Sequence, residues 1–198
     1  MFRKLSEYPF LTTVIGWNIL FFLLGYLIPD WIDLFALHYP AATRSLTGTV
    51  LVDIFRLFSY TFVHSGWHHF FTNMLWLLFF GIALHSRLSS WKMMALYFGS
   101  GMIGGAFFLA AAAIWGATAP VSLYGASSAV LGICTGIIMF RPRRWSDYYP
   151  FFKKVPVNLI AWGVIILFAL CSSDPYSLLA HVGGIAGGFA ICFIMRNS

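Results

Sequence analysis

The sequence predicts an all-α membrane protein, a bundle of six transmembrane helices, and three observations lead to this fold class. Of its 198 residues, 60% are hydrophobic and only 9% are charged, too few charges to cover a soluble domain. The apolar residues form six runs of helix length. The polar–apolar alternation that indicates strands is absent, which suits a backbone that must satisfy its own hydrogen bonds in lipid.

The six runs are expected to form one membrane domain over residues 1–198. A spanning helix needs about 20 residues, so six fit if the loops are short. The first run lacks the cleavage site of a signal peptide, and we expect it to be retained as a span. The approximate spans are 10–28, 68–84, 91–115, 125–140, 155–170 and 178–195.

The connector between the first two spans is unusually long. It covers 39 residues from Pro29 to Trp67 and mixes aromatic with scattered polar residues. Such a pattern is typical of a segment at the membrane interface. We therefore predict a long, partly embedded first loop and no seventh span.

The basic residues predict the orientation in the bilayer. The net charge of +6 indicates topology and anionic lipid rather than nucleic acid, which we do not expect as a partner. The loops between the six spans lie alternately on the two sides of the membrane. Ten Lys and Arg then lie on the side of the N-terminus, and two, Arg44 and Arg56, lie on the other. By the positive-inside rule, both termini face the cytoplasm.

Polar side chains inside the predicted spans are functional candidates, because burying them in hydrocarbon is costly unless they pair or line a wet cavity. They are His69, Asn73, Ser127, Ser128 and His181. All six acidic residues lie in tails or loops. Any serine–histidine chemistry here would therefore use a dyad without a carboxylate.

Asn73, Ser127 and His181 are predicted to lie at one depth. They precede the next arginine of the cytoplasmic side by 14, 14 and 15 residues. At 1.5 Å per residue, each lies roughly 21–23 Å above the inner boundary. His69 is one turn above Asn73 on the same helix face. These side chains should form a single polar layer below the outer surface.

Small residues predict close packing of the fourth and sixth spans. The sixth span has two G-x-x-x-G pairs, Gly183–Gly187 and Gly184–Gly188, and the fourth has Gly132–Gly136. Such faces let helix backbones approach closely. If these faces meet, Ser127 and His181 come within reach of each other.

Each candidate also has a plain structural explanation. Taken alone, Ser127 is more typical of small-residue packing and Asn73 of an interhelical hydrogen bond, while a structural role for His181 is as reasonable as a catalytic one. A metal or haem site at His64, His68 and His69 is a further alternative. It lacks a clear second set of ligands, so we expect no metal and no cofactor.

Taken together, the motifs resemble those of the rhomboid family of intramembrane serine proteases. The pattern H-x4-H-x3-N appears as His64, His69 and Asn73, and the nucleophile motif G-x-S-G as Gly125–Ser128, with serine at its last glycine. The sixth-span pattern A-H-x-x-G-x-x-x-G appears in residues 180–188. Arg56 stands where the family tends to have a Trp-Arg pair.

The resemblance implies the fold and the activity of the family. The fold would be the minimal six-helix bundle common in bacteria, in an inner membrane. The activity would be that of a serine endopeptidase cutting transmembrane segments of other proteins near their outer end. The implied residues are Ser127 as nucleophile, His181 as base, His69 and Asn73 for the oxyanion, His64, Gly125 and Arg56 in support, and Gly184 and Gly188 in helix packing.

Two departures from the family pattern lie near the nucleophile. Ser128 replaces a glycine, and this could crowd the turn or offer a second hydroxyl. Leu131 stands where a tyrosine commonly stacks on the histidine, so His181 is expected to be less firmly oriented. The alternatives to a protease are a rhomboid-like client-binding pseudoprotease, which usually lacks the serine or the histidine, and a small transporter using the polar layer.

Overall fold

The structure, a computed structural model, describes residues 7–39, 50–141, 156–172 and 174–197. These residues are largely helical, which confirms the all-α class. In chain order, the helices are α1 (Pro9–Leu27), α2 (Trp31–Phe35), α3 (Val50–Ser59), α4 (Trp67–Leu84), α5 (Ser90–Ile114), α6 (Ser127–Phe140), α7 (Val157–Leu170) and α8 (Pro175–Asn197). A 3-10 helix, Tyr60–Phe62, follows α3 directly.

Each predicted span corresponds to one helix, with boundaries that differ by at most three residues. Four helices, α1, α4, α5 and α8, are long and apolar enough to cross a membrane. The apolar helices α6 and α7 have 14 residues each. They rise about 21 Å, less than the ~30 Å hydrocarbon core. The count of six spans therefore stays a prediction.

Proline marks the start of three of these helices. Pro9 and Pro175 are the first residues of α1 and α8, and Pro156 directly precedes α7. Proline suits these places because the first N–H groups of a helix have no intrahelical partner to lose.

The long connector is built from short elements where it is described. It contains α2, the strand β1 (Leu37–Tyr39), α3 and the 3-10 helix. Along α3, the apolar residues Leu51, Ile54 and Phe55 are exposed, whereas Arg56 is buried. An apolar outer face is typical of a helix in contact with lipid, which suits a partly embedded loop.

A two-stranded sheet, which we did not predict, joins this connector to the chain before α6. Strand β1 pairs antiparallel with β2 (Val121–Leu123), with Leu37 opposite Leu123. Strands of three residues are too short for an alternating pattern to be visible in sequence. The pairing brings the connector to the turn that precedes α6.

Helices α5, α6 and α8 form the tightly packed centre of the bundle. Every residue of α6 from Ser127 to Ile137 is buried. Gly184 lies against the backbone of Ser128, and a Cβ on Gly188 would stand only 2.8 Å from the Cα of Gly132. Gly136 differs from expectation, because it faces the side chains of Leu84 and Leu96 and not α8.

Candidate active site

Ser127 and His181 lie in hydrogen-bond contact at the centre of the bundle. The distance from Ser127 Oγ to His181 Nε2 is 2.8 Å. Ser127 is the first residue of α6, and His181 lies on α8, six residues after its first residue, Pro175. The two residues are only 6% and 9% exposed. The close packing of α6 on α8 places a hydroxyl and an imidazole together away from the surface.

The turn before Ser127 depends on a glycine. Gly125 has a φ of +108°, which L side chains rarely adopt, and a Cβ here would overlap the ring of His69. The Gly125 N–H donates to the carbonyl of Tyr60 at 2.9 Å. The hydrogen bond to Tyr60 thus holds the turn to the connector, and the His69 ring packs on its other side at Gly125.

His64 and His69 pack beside this turn. Their ring centroids are 5.1 Å apart, and the Ala126 N–H points to His64 Nε2 at 3.4 Å. His64 precedes α4, and burial lowers its pKa to about 3. Its imidazole is therefore neutral at physiological pH and can accept from the backbone N–H before Ser127. His68, by contrast, is exposed.

Asn73 lies below His69 on α4 and is fully buried. Its Nδ2 donates to the His69 carbonyl at 3.0 Å, and its Oδ1 has no hydrogen-bond partner among the described residues. A carboxamide has two N–H hydrogens, so a second donor remains. Asn73 thus keeps an unused polar group buried one helical turn from His69.

Ser172 and Phe168, which we did not single out from the sequence, contact His181 on the side away from Ser127. Ser172 Oγ lies 3.0 Å from His181 Nδ1 and 2.9 Å from the Phe168 carbonyl oxygen. The Phe168 ring meets the imidazole edge-on, with centroids 5.7 Å apart. Leu131, at the position of the expected tyrosine, is fully buried. No spacing rule predicted the contacts of Ser172 and Phe168 with His181, because they cross the break between α7 and α8.

The second serine has its own structural place. Ser128 is fully buried, and its Oγ donates to the Ala180 carbonyl at 3.1 Å. A Cβ on Gly104 of α5 would stand 2.6 Å from the Ser128 Cβ. Ser128 therefore fills the junction of α5, α6 and α8. It follows Ser127 in the chain, and its hydroxyl bonds to Ala180, the residue before His181.

Arg56 belongs to the connector. Its Nε donates to the Leu34 carbonyl at 3.3 Å, and its Nη1 lies 3.8 Å from Asp53 Oδ1. It ties α3 to α2. The metal-site alternative gains no support, because among the described residues no three His, Cys, Asp or Glu side chains are grouped to hold an ion.

Comparisons with known proteins identify the family of this chain. A family model described as "Rhomboid domain" matches residues 52–198. The chain is 25% identical to "Putative rhomboid protease YdcA" of Bacillus subtilis (strain 168), covering 74% of this chain and 70% of that protein. It is 31% identical to RHOMBOID-like protein 4 of Arabidopsis thaliana, over 71% of this chain and 34% of that protein.

A third relative matches a similar fraction of this chain. Rhomboid-like protease 1 of Toxoplasma gondii is 24% identical over 70% of this chain and 46% of its own length. The chain thus spans less than half of the Arabidopsis and Toxoplasma proteins. With a family match over most of its length and four helices long enough to span a bilayer, this integral membrane protein belongs to the rhomboid family.

Proposed function

We propose that the protein is an intramembrane serine endopeptidase that cleaves transmembrane segments of other membrane proteins near their outer end. The observation that carries the proposal is the 2.8 Å contact between the buried Ser127 Oγ and His181 Nε2. A serine hydroxyl is a weak nucleophile on its own, and an adjacent base within hydrogen-bond reach activates it. Relatives named as rhomboid proteases support the same activity.

Acylation would begin with proton transfer from Ser127 to His181. Ser127 Oγ attacks the scissile carbonyl carbon while Nε2 takes the hydroxyl proton, giving a tetrahedral oxyanion and an imidazolium. As the intermediate collapses, the C–N bond breaks and the leaving amine takes the proton from Nε2. Water then attacks the acyl ester, again with His181 as base, and releases the acid and the Ser127 hydroxyl.

The oxyanion would be held by donors around the start of α6. Ser127 is the first residue of this helix, where backbone N–H groups lack intrahelical partners and the helix dipole favours negative charge. His69 packs on Gly125 directly beside this point, and Asn73 retains a free N–H. Gly125 and His64 fix the turn that aims the backbone donors. Arg56 contributes indirectly by holding the connector.

Substrate access would occur beside α7. The Ser127–His181 pair is almost inaccessible at rest, so a substrate must displace part of the structure to reach it. Helix α7 packs mainly on α6 and only slightly on α8, the helix that carries His181, so this side would open with few contacts to break on α8. The segment 171–177 would act as a cap; its residue 173 lies outside the described residues. The substrate would arrive laterally from the lipid bilayer.

The proposed setting is a bacterial inner membrane with both termini in the cytoplasm. The ten-to-two distribution of basic residues supports this orientation. Seven of these twelve lie outside the described residues. In this orientation, Ser127 and His181 lie in the outer half of the bilayer, which is why cleavage is proposed near the outer end of the substrate.

The test combines a fluorophosphonate serine probe with cleavage of a model transmembrane substrate in liposomes. Wild type should label and cleave, whereas Ser127→Ala and His181→Ala should each lower the rate about 10,000-fold or more. The control variant Ser86→Ala, just after the C-terminal end of α4 and far from His69, should cleave like wild type. If the protein is a pseudoprotease, wild type should not cleave. If it is a transporter, its transport should survive Ser127→Ala. Cleavage retained by either dyad variant would overturn the proposal.

A further inference from the structure

The hydroxyl of Ser172 lies between an acceptor and the far nitrogen of His181. It is 2.9 Å from the Phe168 carbonyl oxygen and 3.0 Å from His181 Nδ1. A carbonyl oxygen can only accept, and a serine has one hydroxyl proton. If that proton goes to Phe168, the Ser172 oxygen must accept from a protonated Nδ1.

The Phe168 carbonyl is a strong candidate to accept the hydrogen bond of the Ser172 hydroxyl. Phe168 lies in the last turn of α7, which ends at Leu170, and the last four carbonyls of a helix have no intrahelical donor. Side-chain hydroxyls commonly satisfy such groups by bonding back along the helix. The direction of the Ser172 hydrogen bond is therefore set by the end of α7, whose Phe168 carbonyl also faces His181.

From this proton count, we propose that Ser172 is a positioning residue that holds His181 in the tautomer with hydrogen on Nδ1 and a free lone pair on Nε2. This inference rests on the proposed function. Nε2 is the nitrogen 2.8 Å from Ser127 Oγ, so this tautomer is the one that can take the nucleophile's proton. In the opposite tautomer, Nε2 would carry a hydrogen and could not act as a base.

Ser172 also supports the charged state of the histidine. After Nε2 takes the Ser127 proton, both ring nitrogens carry hydrogens, and the Nδ1–H donates to a hydroxyl already oriented to receive it. A carboxylate has this role in a Ser-His-Asp triad. Here a neutral hydroxyl, anchored to a carbonyl, orients the ring.

Phe168 adds a second constraint from the same helix end. Its ring meets the imidazole at an interplanar angle of 75°, with centroids 5.7 Å apart. Together, the Phe168 ring and the Ser172 hydroxyl restrict the tilt and the flip of the His181 ring. This support comes from α7, whereas the expected aromatic residue would have come from α6, where Leu131 stands.

The test compares Ser172→Ala and Ser172→Thr with the matched variant Ser86→Ala. Ser86 makes the same kind of bond, from its Oγ to the Ala83 carbonyl at 2.8 Å near the end of α4, without a histidine. Ser172→Ala should lower kcat about 10- to 100-fold, because an orienting hydrogen bond is lost, with KM changed less than about threefold. Ser172→Thr keeps a hydroxyl and should retain most of kcat, and Ser86→Ala should match wild type.

A spectroscopic readout separates positioning from a merely structural role. Protein labelled with ¹⁵N-histidine in detergent micelles should show a protonated Nδ1 for His181, assigned by the loss of that signal in His181→Gln. In Ser172→Ala, the signal should shift toward a mixture of tautomers, while Ser172→Thr and Ser86→Ala keep it. Thermal unfolding of each variant shows whether the fold is retained.

Two outcomes would overturn the inference. One is an Ala variant with kcat within about twofold of wild type, and the other is a loss of kcat while His181 keeps its protonated Nδ1. The nitrogen spectrum does not depend on substrate, so failure of the proposed function, seen as absence of cleavage by wild type, is distinguishable from failure of the role of Ser172.

Discussion

The centre and the edge of the bundle are packed by different means. In the centre, α5, α6 and α8 approach through glycines; a Cβ on Gly104 would stand 2.8 Å from the Ala180 carbonyl oxygen. At the edge, a Cβ on Gly16 of α1 or Gly163 of α7 would meet nothing within 4 Å. The edge helices also expose large apolar residues such as Trp17 and Trp162.

This difference in packing separates the region that holds Ser127 and His181 in place from the region through which a substrate would enter. Ser127 and His181 lie where backbones are closest and least able to shift, which suits chemistry that needs the reacting atoms held to a fraction of an ångström. Ser172 and Phe168 lie at the end of α7, on the loosely packed side. The proposed nucleophile and base are thus on closely packed helices, while the residues proposed to orient the base are at the end of the helix nearest to the proposed entry.

The largest expected effect on stability comes from adding one methyl group to the centre. Gly184→Ala would drive a Cβ into the backbone of Ser128, which cannot move aside as a flexible side chain can. We expect the free energy of unfolding to fall by about 3 kcal/mol, the upper part of the range for overpacking. Cleavage should fall about 100-fold or more, because α8 and His181 move away from Ser127.

The matched change at the edge is Gly163→Ala, where the added methyl group enters open space. We expect stability within about 1 kcal/mol of wild type, since alanine also favours the helix, and unchanged cleavage. Thermal unfolding in detergent micelles and cleavage in liposomes measure both effects. Equal losses in the two variants would contradict the contrast between centre and edge.

A smaller effect on stability is expected from two buried asparagines that each bond to a carbonyl one turn back. Asn73 Nδ2 donates to His69, and Asn18 Nδ2 donates to Val14 of α1 at 2.8 Å. Asn73→Ala should lower kcat about 100- to 1,000-fold, the usual cost of losing one oxyanion donor. Asn18→Ala should change stability but not kcat. If both variants keep the wild-type kcat, Asn73 is a packing residue and not an oxyanion donor.

The smallest effect is expected at Ser128. Its hydroxyl donates to the Ala180 carbonyl, which lies within α8 and can already accept from that helix, so the bond adds little. Ser128→Ala should lower stability by about 1 kcal/mol or less, and Ser128→Gly somewhat more, because glycine also weakens the helix. Cleavage should stay within about threefold of wild type in both. A loss as large as that of Ser127→Ala would mean that the nucleophile is assigned to the wrong serine.

The sequence predicted those features that follow from periodicity and depth. Apolar runs gave the six helices, and counting from the arginines placed Ser127 and His181 at one level, where the structure has them in contact. It did not predict Ser172 and Phe168, because their contacts depend on how the chain turns between α7 and α8. It also misplaced Gly136, since a G-x-x-x-G spacing defines a helix face and does not name the helix that it meets.

The position of His181 along the chain has a consequence for biogenesis. Ribosomes deliver helices in order, and α8 follows every other described helix. Under the proposed function, a chain inserted only as far as α7 would hold the proposed nucleophile and oxyanion donors without a base, so it would be inert toward neighbouring membrane proteins. Hydrolytic competence would arise in one step, when α8 packs its glycines against α6, and a truncated or stalled product would remain harmless.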